Sequence, residues 1–254
     1  MKEEKKSGGA PVAIIVAVLV LVAVGGWLYY RTSTTSQSNS NRAANTKPVA
    51  YPAIDMSGKP TGAQPPNAIG APTATVTVEE FADFQCGSCA ATYPVIKDIL
   101  KAYNGNPNFR FIYRNFPLQM HDKAYDAAVA SEAAGLQNPA KFWLMEDMLF
   151  TNQHIWSVDA NYKNSFLEYA SKIGLDVERF KADIAGTQAK LRVDQDIARG
   201  RAIGIGSTPT VLVNNKLIPY QEVTLTGMRR IIDAEFQAAS ATAPAPANPA
   251  PANK

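Results

Sequence analysis

Hydrophobic and polar residues alternate most regularly between residues 73 and 84. This alternation, together with many β-branched side chains, predicts a strand. Glu80 falls on the hydrophobic side of that strand. A second run of aromatic and β-branched residues, residues 109–116, predicts another strand. The hydrophobic positions of the first strand are Val76, Val78, Ala82 and Phe84.

Helical periodicity predominates between these strands and over much of the chain that follows them. Apolar residues recur at helical spacing after residue 89, so a helix is predicted to begin at or near Cys89. Further helices are predicted between the second strand and residue 204, separated by Asn-Pro and glycine positions. Their predicted ranges are 121–136, 140–151, 164–173, 177–184 and 188–203.

The periodic part of the chain closes with a hairpin and a helix. Residues 210–213 and 216–219 predict two short strands around Asn214-Asn215, a pair that tolerates the positive φ of a tight turn. Thr226 is predicted to cap a final helix at residues 227–238. Strands therefore flank a long stretch of mostly helical pattern.

The two ends of the chain differ from this periodic part. Residues 12–30 form an apolar run that would span about 28 Å as a helix, close to the ~30 Å core of a bilayer. An uncleaved anchor is favoured over a cleaved signal peptide, because aromatic residues extend the run. Lys2, Lys5 and Lys6, with Glu3 and Glu4 among them, predict that residues 1–11 are cytoplasmic and that the domain is extracytoplasmic. Residues 31–69 predict a flexible linker, and the Ala/Pro-rich residues 240–254 a disordered tail.

Charge and length set only broad limits. With 25 basic and 22 acidic residues the net charge is +3, which gives no indication of nucleic acid binding. A chain of 254 residues is long enough for one domain with a sizeable core in addition to the terminal segments.

Cys86 and Cys89 are the only cysteines, and they form a Cys-Gly-Ser-Cys motif. Such a pair is half of a zinc site, a structural disulfide or a redox pair. A disulfide that closes only two intervening residues stabilises a fold very little. Cys86 is predicted to lie at a helix start, where unpaired N–H groups and the helix dipole favour a thiolate. This placement predicts Cys86 as the nucleophile and Cys89 as the resolving cysteine.

Other candidate residues carry weaker signals. His121 and His154 could complete a Cys2His2 zinc site with the two cysteines, but their wide spacing argues against it. Asp83, Asp122 and Asp126 are most simply interpreted as solvated carboxylates. We therefore predict no metal ion and no cofactor other than the redox-active disulfide itself.

The segment EEFADFQCGSC resembles the active site of the thioredoxin superfamily, and the longer GAPTATVTVEEFADFQC most resembles the DsbA-type extracytoplasmic thiol oxidoreductases. An acid, Glu80, precedes the first cysteine by six residues, and Pro94 follows the second by five. Thr208-Pro209 precedes an apolar run, as the cis-proline loop of that family does. The three matches together are more specific than a single CxxC motif.

The resemblance covers about residues 70–239 and implies an α/β, thioredoxin-like fold. Residues 120–204 would then form an inserted helical subdomain, which DsbA-type proteins have and a minimal thioredoxin lacks. Its implied role is a cap beside the cysteines that helps to form a groove for unfolded polypeptide. Candidate apolar residues for this groove, each more simply explained by packing inside the cap, are Phe142, Trp143, Met145, Met148, Leu149 and Phe150.

The resemblance also implies roles for individual residues. Glu80 would be a proton relay that accepts a proton from the resolving cysteine. Pro209 would be a cis-proline that presents the backbone of Thr208 to a client, and the Thr208 hydroxyl would tune the nucleophile. Gly87 and Ser88 stand where the best-known DsbA motif has Pro-His, which predicts a weaker oxidant.

The expected function is that of an enzyme, an extracytoplasmic protein-disulfide oxidoreductase that forms disulfides in exported proteins with the Cys86–Cys89 pair. A reductase or isomerase of the same family and a non-catalytic client-binding module are the alternatives. The expected partners are reduced or unfolded exported polypeptides and a membrane redox partner that reoxidises or reduces the pair. We expect a single-pass protein of the cell membrane, with its domain in the periplasm or at the cell exterior, and a monomer.

Overall fold

The computed structural model describes residues 50–242 together with Trp27. The predicted anchor at residues 12–30, apart from Trp27, and most of the predicted tail lie outside these residues. In the part of the chain that the structure describes, no helix combines the length and the apolar character needed to cross a bilayer. The strands are β1 (Asn67–Ile69), β2 (Val76–Ala82), β3 (Phe109–Asn115), β4 (Thr210–Val213) and β5 (Lys216–Ile218).

Eight α-helices and one 3-10 turn accompany these strands within the described residues. The helix between β2 and β3 is α1 (Gly87–Ala102). Six helices separate β3 from β4, namely α2 (Ala124–Gln137), α3 (Pro139–Thr151), α4 (Gln153–Trp156), α5 (Tyr162–Lys172), α6 (Val177–Ala185) and α7 (Gln188–Ala202). The 3-10 turn (Tyr220–Glu222) and α8 (Leu225–Thr242) follow β5. The predicted α/β fold with an inserted helical subdomain is confirmed.

The five strands form one mixed sheet in the order β1-β3-β2-β4-β5. The central strand β2 runs parallel to β3 and antiparallel to β4. In the register of β2 with β3, Glu80 lies opposite Tyr113. The carboxyl ends of β2 and β3 therefore meet at one edge of the sheet, where the cysteine motif follows β2.

The two faces of the sheet pack into two separate cores. On one face the side chains of Val76, Val78 and Ala82 belong to the large core that the helices α1, α2, α3 and α8 complete. On the other face Phe81 packs edge-on against Phe116, with 6.1 Å between ring centroids. Alternation along β2 thus places Glu80 on the side of the large core and Glu79 on the opposite side.

The segment before the sheet differs from the prediction. Residues 31–69 were expected to be a flexible linker, but residues 50–69 lie against the domain. Asn67–Ile69 pair antiparallel with β3, and the backbone N–H of Ala63 donates to Asp196 on α7 at 2.8 Å. The reason is long-range hydrogen bonding, which a polar composition does not reveal.

Two smaller boundaries also differ. The last helix begins at Leu225, and its first turn is capped by the Thr224 hydroxyl, which accepts from the Gly227 N–H at 3.1 Å. Thr226 is therefore not the cap. The hairpin turn does lie at Asn214 and Asn215, with φ of 48° and 64°.

Four of the six residues that suggested a groove in the helical insertion are buried. Phe142, Met145 and Leu149 are fully buried, and Phe150 is 6% exposed. These four side chains fill the core between α3 and the sheet and do not line a groove, whereas Trp143 and Met148 are only partly buried.

Candidate functional site

The cysteine motif occupies the short connection between β2 and α1. Cys86 is the N-cap residue of α1, with extended φ and ψ of −72° and 121°. Its carbonyl accepts the first helical hydrogen bond, from the Ala90 N–H at 3.1 Å. Cys86 is 8% exposed and Cys89, one turn into the helix, is 1% exposed, and both are free thiols. A reactant from solvent can therefore reach the first sulfur and not the second.

The environment of Cys86 favours the thiolate. The pKa of Cys86 is lowered to about 5, chiefly because the Cys89 thiol donates a hydrogen bond to its sulfur. Burial opposes this effect, while the Thr208 hydroxyl and the backbone N–H groups of Cys89 and Ser88 support it. The first sulfur is therefore ionised at neutral pH.

Cys89 behaves in the opposite way. Burial raises the pKa of Cys89 far above its ordinary value, and the hydrogen bond to Cys86 and the charge of Glu80 act in the same direction. The backbone N–H of Asp83 donates to its sulfur at 3.5 Å, which offsets only part of the effect. The reduced site thus holds a thiolate at Cys86 and a protonated thiol at Cys89.

The proline loop lies directly beside the first sulfur. The Thr208–Pro209 peptide is cis, and the Cys86 sulfur lies 3.4 Å from the Thr208 carbonyl, to which it donates only while it is protonated. The Thr208 hydroxyl is buried and, among the described residues, has no partner with ordinary hydrogen-bond geometry. Because it faces the Cys86 sulfur, it is free to donate once that sulfur ionises. No atom lies within 4 Å of the position that a Cβ would occupy at Gly87, so the start of α1 is accessible there.

Replacing Thr208 with valine should raise the pKa of Cys86 by up to about one pH unit, because one hydrogen bond to the thiolate is lost. Titrating the ultraviolet absorbance of the thiolate in the reduced protein measures this value. Thr208→Ser keeps the hydroxyl and is the matched control. An equal rise in both variants would show that the hydroxyl does not contact the sulfur.

Glu80 lies beneath the cysteines as a neutral acid. It is 4% exposed, and burial raises the pKa of its carboxyl to about 8. When Glu80 ionises, its charge raises the pKa of Cys89, which indicates that the two groups are close. The sequence placed Glu80 on the apolar side of the strand, and the structure buries it there.

The buried Asp83 and the partly exposed His121 form a pair that the sequence did not reveal. The sequence predicts a solvated Asp83, but Asp83 is only 1% exposed. Its carboxylate accepts hydrogen bonds from the Gln85 and Leu118 N–H groups at 2.7 and 2.8 Å. His121 Nδ1 lies 2.7 Å from the same carboxylate. His121 is therefore bound to Asp83 and is not directed at the cysteines as a zinc ligand. The pair fixes the backbone N–H of Asp83 beside Cys89.

Two glutamines fix the rest of the active-site loop. Gln153, at the start of α4, donates to the carbonyls of Phe84 and Cys86 at 2.7 and 2.9 Å. Gln85 donates to Asp122 at 2.9 Å and accepts from the Lys123 N–H at 2.7 Å. The helical insertion thus holds the backbone of the nucleophile, a contact that spans 67 residues of sequence and leaves no local signal.

Known structures share this architecture. BdbD from Bacillus subtilis aligns with a TM-score of 0.60 and 23% identity, over 74% of this chain and 98% of that one. α-DsbA1 from Wolbachia pipientis aligns at 0.59 with 19% identity, over 70% and 94% of the two chains. A thioredoxin-like oxidoreductase from Silicibacter pomeroyi aligns at 0.54 with 25% identity, over 68% and 94%. The predicted thioredoxin-like fold is confirmed by these neighbours.

Curated proteins match a shorter region. Na(+)/H(+) antiporter NhaA 1 of Mycolicibacterium gilvum is 36% identical over 150 residues, 58% of this chain and 23% of that protein. Na(+)/H(+) antiporter NhaA of Herminiimonas arsenicoxydans is 35% identical over 161 residues, 63% of this chain and 24% of that protein. The chain therefore spans less than a quarter of the length of these relatives, and their activity as whole proteins does not transfer to it.

A family profile described as thioredoxin matches residues 63–234. These residues contain the whole sheet, the cysteine motif, the cis-proline loop and the helical insertion. The match covers well over half of the chain and agrees with the fold of the solved structures. The chain therefore belongs to the thioredoxin family.

Proposed function

We propose that this protein is an extracytoplasmic thiol-disulfide oxidoreductase that forms disulfides in exported polypeptides. The unequal ionisation of the two sulfurs is the observation that carries the proposal. A thiolate at Cys86, with a pKa of about 5, is a good leaving group, and the buried Cys89 is shielded from competing reactants. The extracytoplasmic location is supported by the apolar run at residues 12–30.

The exchange proceeds in two displacements. In the oxidised protein a client thiolate attacks the Cys86 sulfur, the Cys86–Cys89 bond breaks, and Cys89 leaves as a thiolate that takes up a proton. A second client thiolate then attacks the client sulfur of the mixed disulfide, and Cys86 leaves as a thiolate. Two electrons pass from the client to this protein, and a membrane redox partner must remove them.

The pKa of Cys86 also sets an expected redox potential. Thioredoxin combines a cysteine pKa of about 7 with a potential of about −270 mV. Each pH unit below 7 stabilises the reduced form by about 1.4 kcal/mol, which corresponds to about 30 mV. A pKa of about 5 therefore adds about 60 mV. We expect a potential near −210 mV, less oxidising than the −120 mV or so of DsbA.

Equilibrating the purified domain with glutathione buffers of known ratio measures this potential. A value near −210 mV, with oxidation of a reduced multi-disulfide substrate in the presence of oxidised glutathione, would support the proposed direction. A value at or below that of thioredoxin would favour the reductase alternative. The absence of any exchange by the wild-type protein would leave a client-binding module.

A further inference from the structure

A second carboxyl is buried below the active site, contributed by the helical insertion. Glu146 on α3 is 3% exposed. Among residues 50–242 no cation is within ion-pair distance of it, since Lys97 pairs with the neighbouring Asp147 at 3.3 Å. Burying a carboxyl without a cationic partner costs several kcal/mol or forces it to take up a proton. A group with this cost calls for a role in the chemistry nearby.

Glu146 lies over the same part of the sheet as Glu80. Phe142, one turn earlier on α3, packs edge-on against Tyr113 with 5.6 Å between ring centroids. Tyr113 is the β3 partner of Glu80 in the parallel register. The helix therefore presents Glu146 to the sheet beside this pair, and the charge of Glu80 raises the pKa of Glu146 further above its buried value.

An unsatisfied hydroxyl is buried near both acids. The hydroxyl of Tyr113 is fully buried and has no hydrogen-bond partner among the described residues. Glu146, Glu80 and Cys89 all contribute to raising its pKa, after burial. An unpaired hydroxyl beside two buried carboxyls offers the polar partners that an ordered water needs, and such a water can pass a proton between groups that do not touch.

On its outer side Glu146 faces groups that reach solvent. The neighbouring Asp147 has a half-exposed side chain and accepts from the Tyr93 hydroxyl at 2.7 Å. Lys97, on the same helix as Tyr93, is also half-exposed and is the one cation that lowers the pKa of Glu146. The groups around Glu146 thus run from the buried Glu80 on one side to water on the other.

We propose that Glu146 relays the proton of Cys89 between Glu80 and solvent, through the helical insertion. The inference rests on the proposed function, because it describes how that site exchanges protons. Glu146 acts only through Glu80, because it exchanges the proton with Glu80 and not with Cys89 directly. Both acids are protonated at rest, so Glu146 first releases its proton to solvent and takes up the proton of Glu80. The Glu80 carboxylate formed in this way then accepts the thiol proton of Cys89 when Cys89 resolves a mixed disulfide. The Cys89 thiolate then attacks the Cys86 sulfur, and the partner thiolate leaves with the bonding electrons.

The reaction of the reduced protein with 5,5′-dithiobis(2-nitrobenzoate) separates the two sulfurs in one stopped-flow trace. The first equivalent of coloured thiolate reports the attack by Cys86, and the second reports resolution by Cys89. Glu146→Gln is expected to leave the first phase unchanged and to slow the second by about tenfold, with a larger effect in D2O. Glu146→Asp should restore part of the rate, since it keeps the carboxyl.

Three comparisons make the outcome decisive. Glu80→Gln/Glu146→Gln should be no slower than Glu80→Gln alone, because Glu146 acts only through Glu80. Glu168→Gln, on the exposed face of α5, is the matched control and should change neither phase. An unchanged second phase in Glu146→Gln, or additive losses in the double variant, would overturn the relay. Failure of the wild-type protein to release the second equivalent would instead refute the proposed function.

Discussion

Cys86→Ser is expected to abolish thiol-disulfide exchange, with a rate loss of at least about a thousandfold. The serine hydroxyl does not ionise near neutral pH and cannot form the mixed disulfide, so no other residue can replace the lost sulfur. Two assays measure the loss, namely the reduction of insulin and the recovery of disulfides in a reduced multi-disulfide substrate. Because the Cys86 side chain caps no helix hydrogen bond, the variant should keep its fold.

Cys89→Ser should give a different result, and this difference tests the assignment of the two sulfurs. It keeps the nucleophile, so mixed disulfides with clients should form and persist because no second cysteine resolves them. They would be visible as crosslinked species in non-reducing gels. Ser171→Ala, on the exposed surface, serves as the unaffected control. Equal activity of the wild-type protein and Cys86→Ser would leave the non-catalytic client-binding module as the explanation.

Arg114→Met is expected to lower the free energy of unfolding by about 3–5 kcal/mol, because it leaves the buried Asp196 without its cation and Glu79 with Arg199 alone. Arg114 donates to Glu79 at 2.7 Å and to Asp196 at 2.9 Å, and all three are buried. Burial alone would raise the pKa of Glu79, but hydrogen bonds and charge from Arg199 and Arg114 keep it below its ordinary value. Urea unfolding followed by circular dichroism measures the loss.

The controls separate this buried network from ordinary surface pairs. Arg199→Met removes one of two cations from Glu79 and should cost less than Arg114→Met. Arg179→Met breaks a contact with Asp183, at 3.5 Å, in which the arginine side chain is more than half exposed, and should cost under about 0.5 kcal/mol. The network lies on the opposite face of the sheet from the cysteines, so refolded Arg114→Met should keep its thiol chemistry. A loss no larger than that of Arg179→Met would contradict the account.

Much of the fold could be predicted because its signals are local. Alternation in β2, aromatic residues in β3 and helical spacing in the insertion each lie within one short stretch of sequence. Predicted helix boundaries differ from the observed ones by a few residues, as at α2, which begins at Ala124 and not at residue 121. The position of Glu80 on the buried side of β2 followed from the same alternation.

Other features depend on contacts between distant residues, and no local pattern could show them. Strand β1 has three residues and no period, and it is held by pairing with β3. Asp83 resembles a surface carboxylate until the loop at Leu118 and His121 closes over it. Glu146 sits in a helix of weak amphipathicity, so its burial becomes visible only when α3 packs on the sheet.

The helical insertion cannot be treated as a detachable module. Its rings stack on those of the sheet, as where Phe84 packs between Tyr113, at 5.5 Å, and Phe150 of α3, at 4.8 Å. Deleting the insertion to leave a minimal thioredoxin would therefore expose the aromatic side chains of the sheet to water and promote aggregation. A shorter version would need polar residues in place of these exposed aromatic side chains. Deleting the insertion would also remove the hydrogen bond from Gln153 to the carbonyl of Cys86.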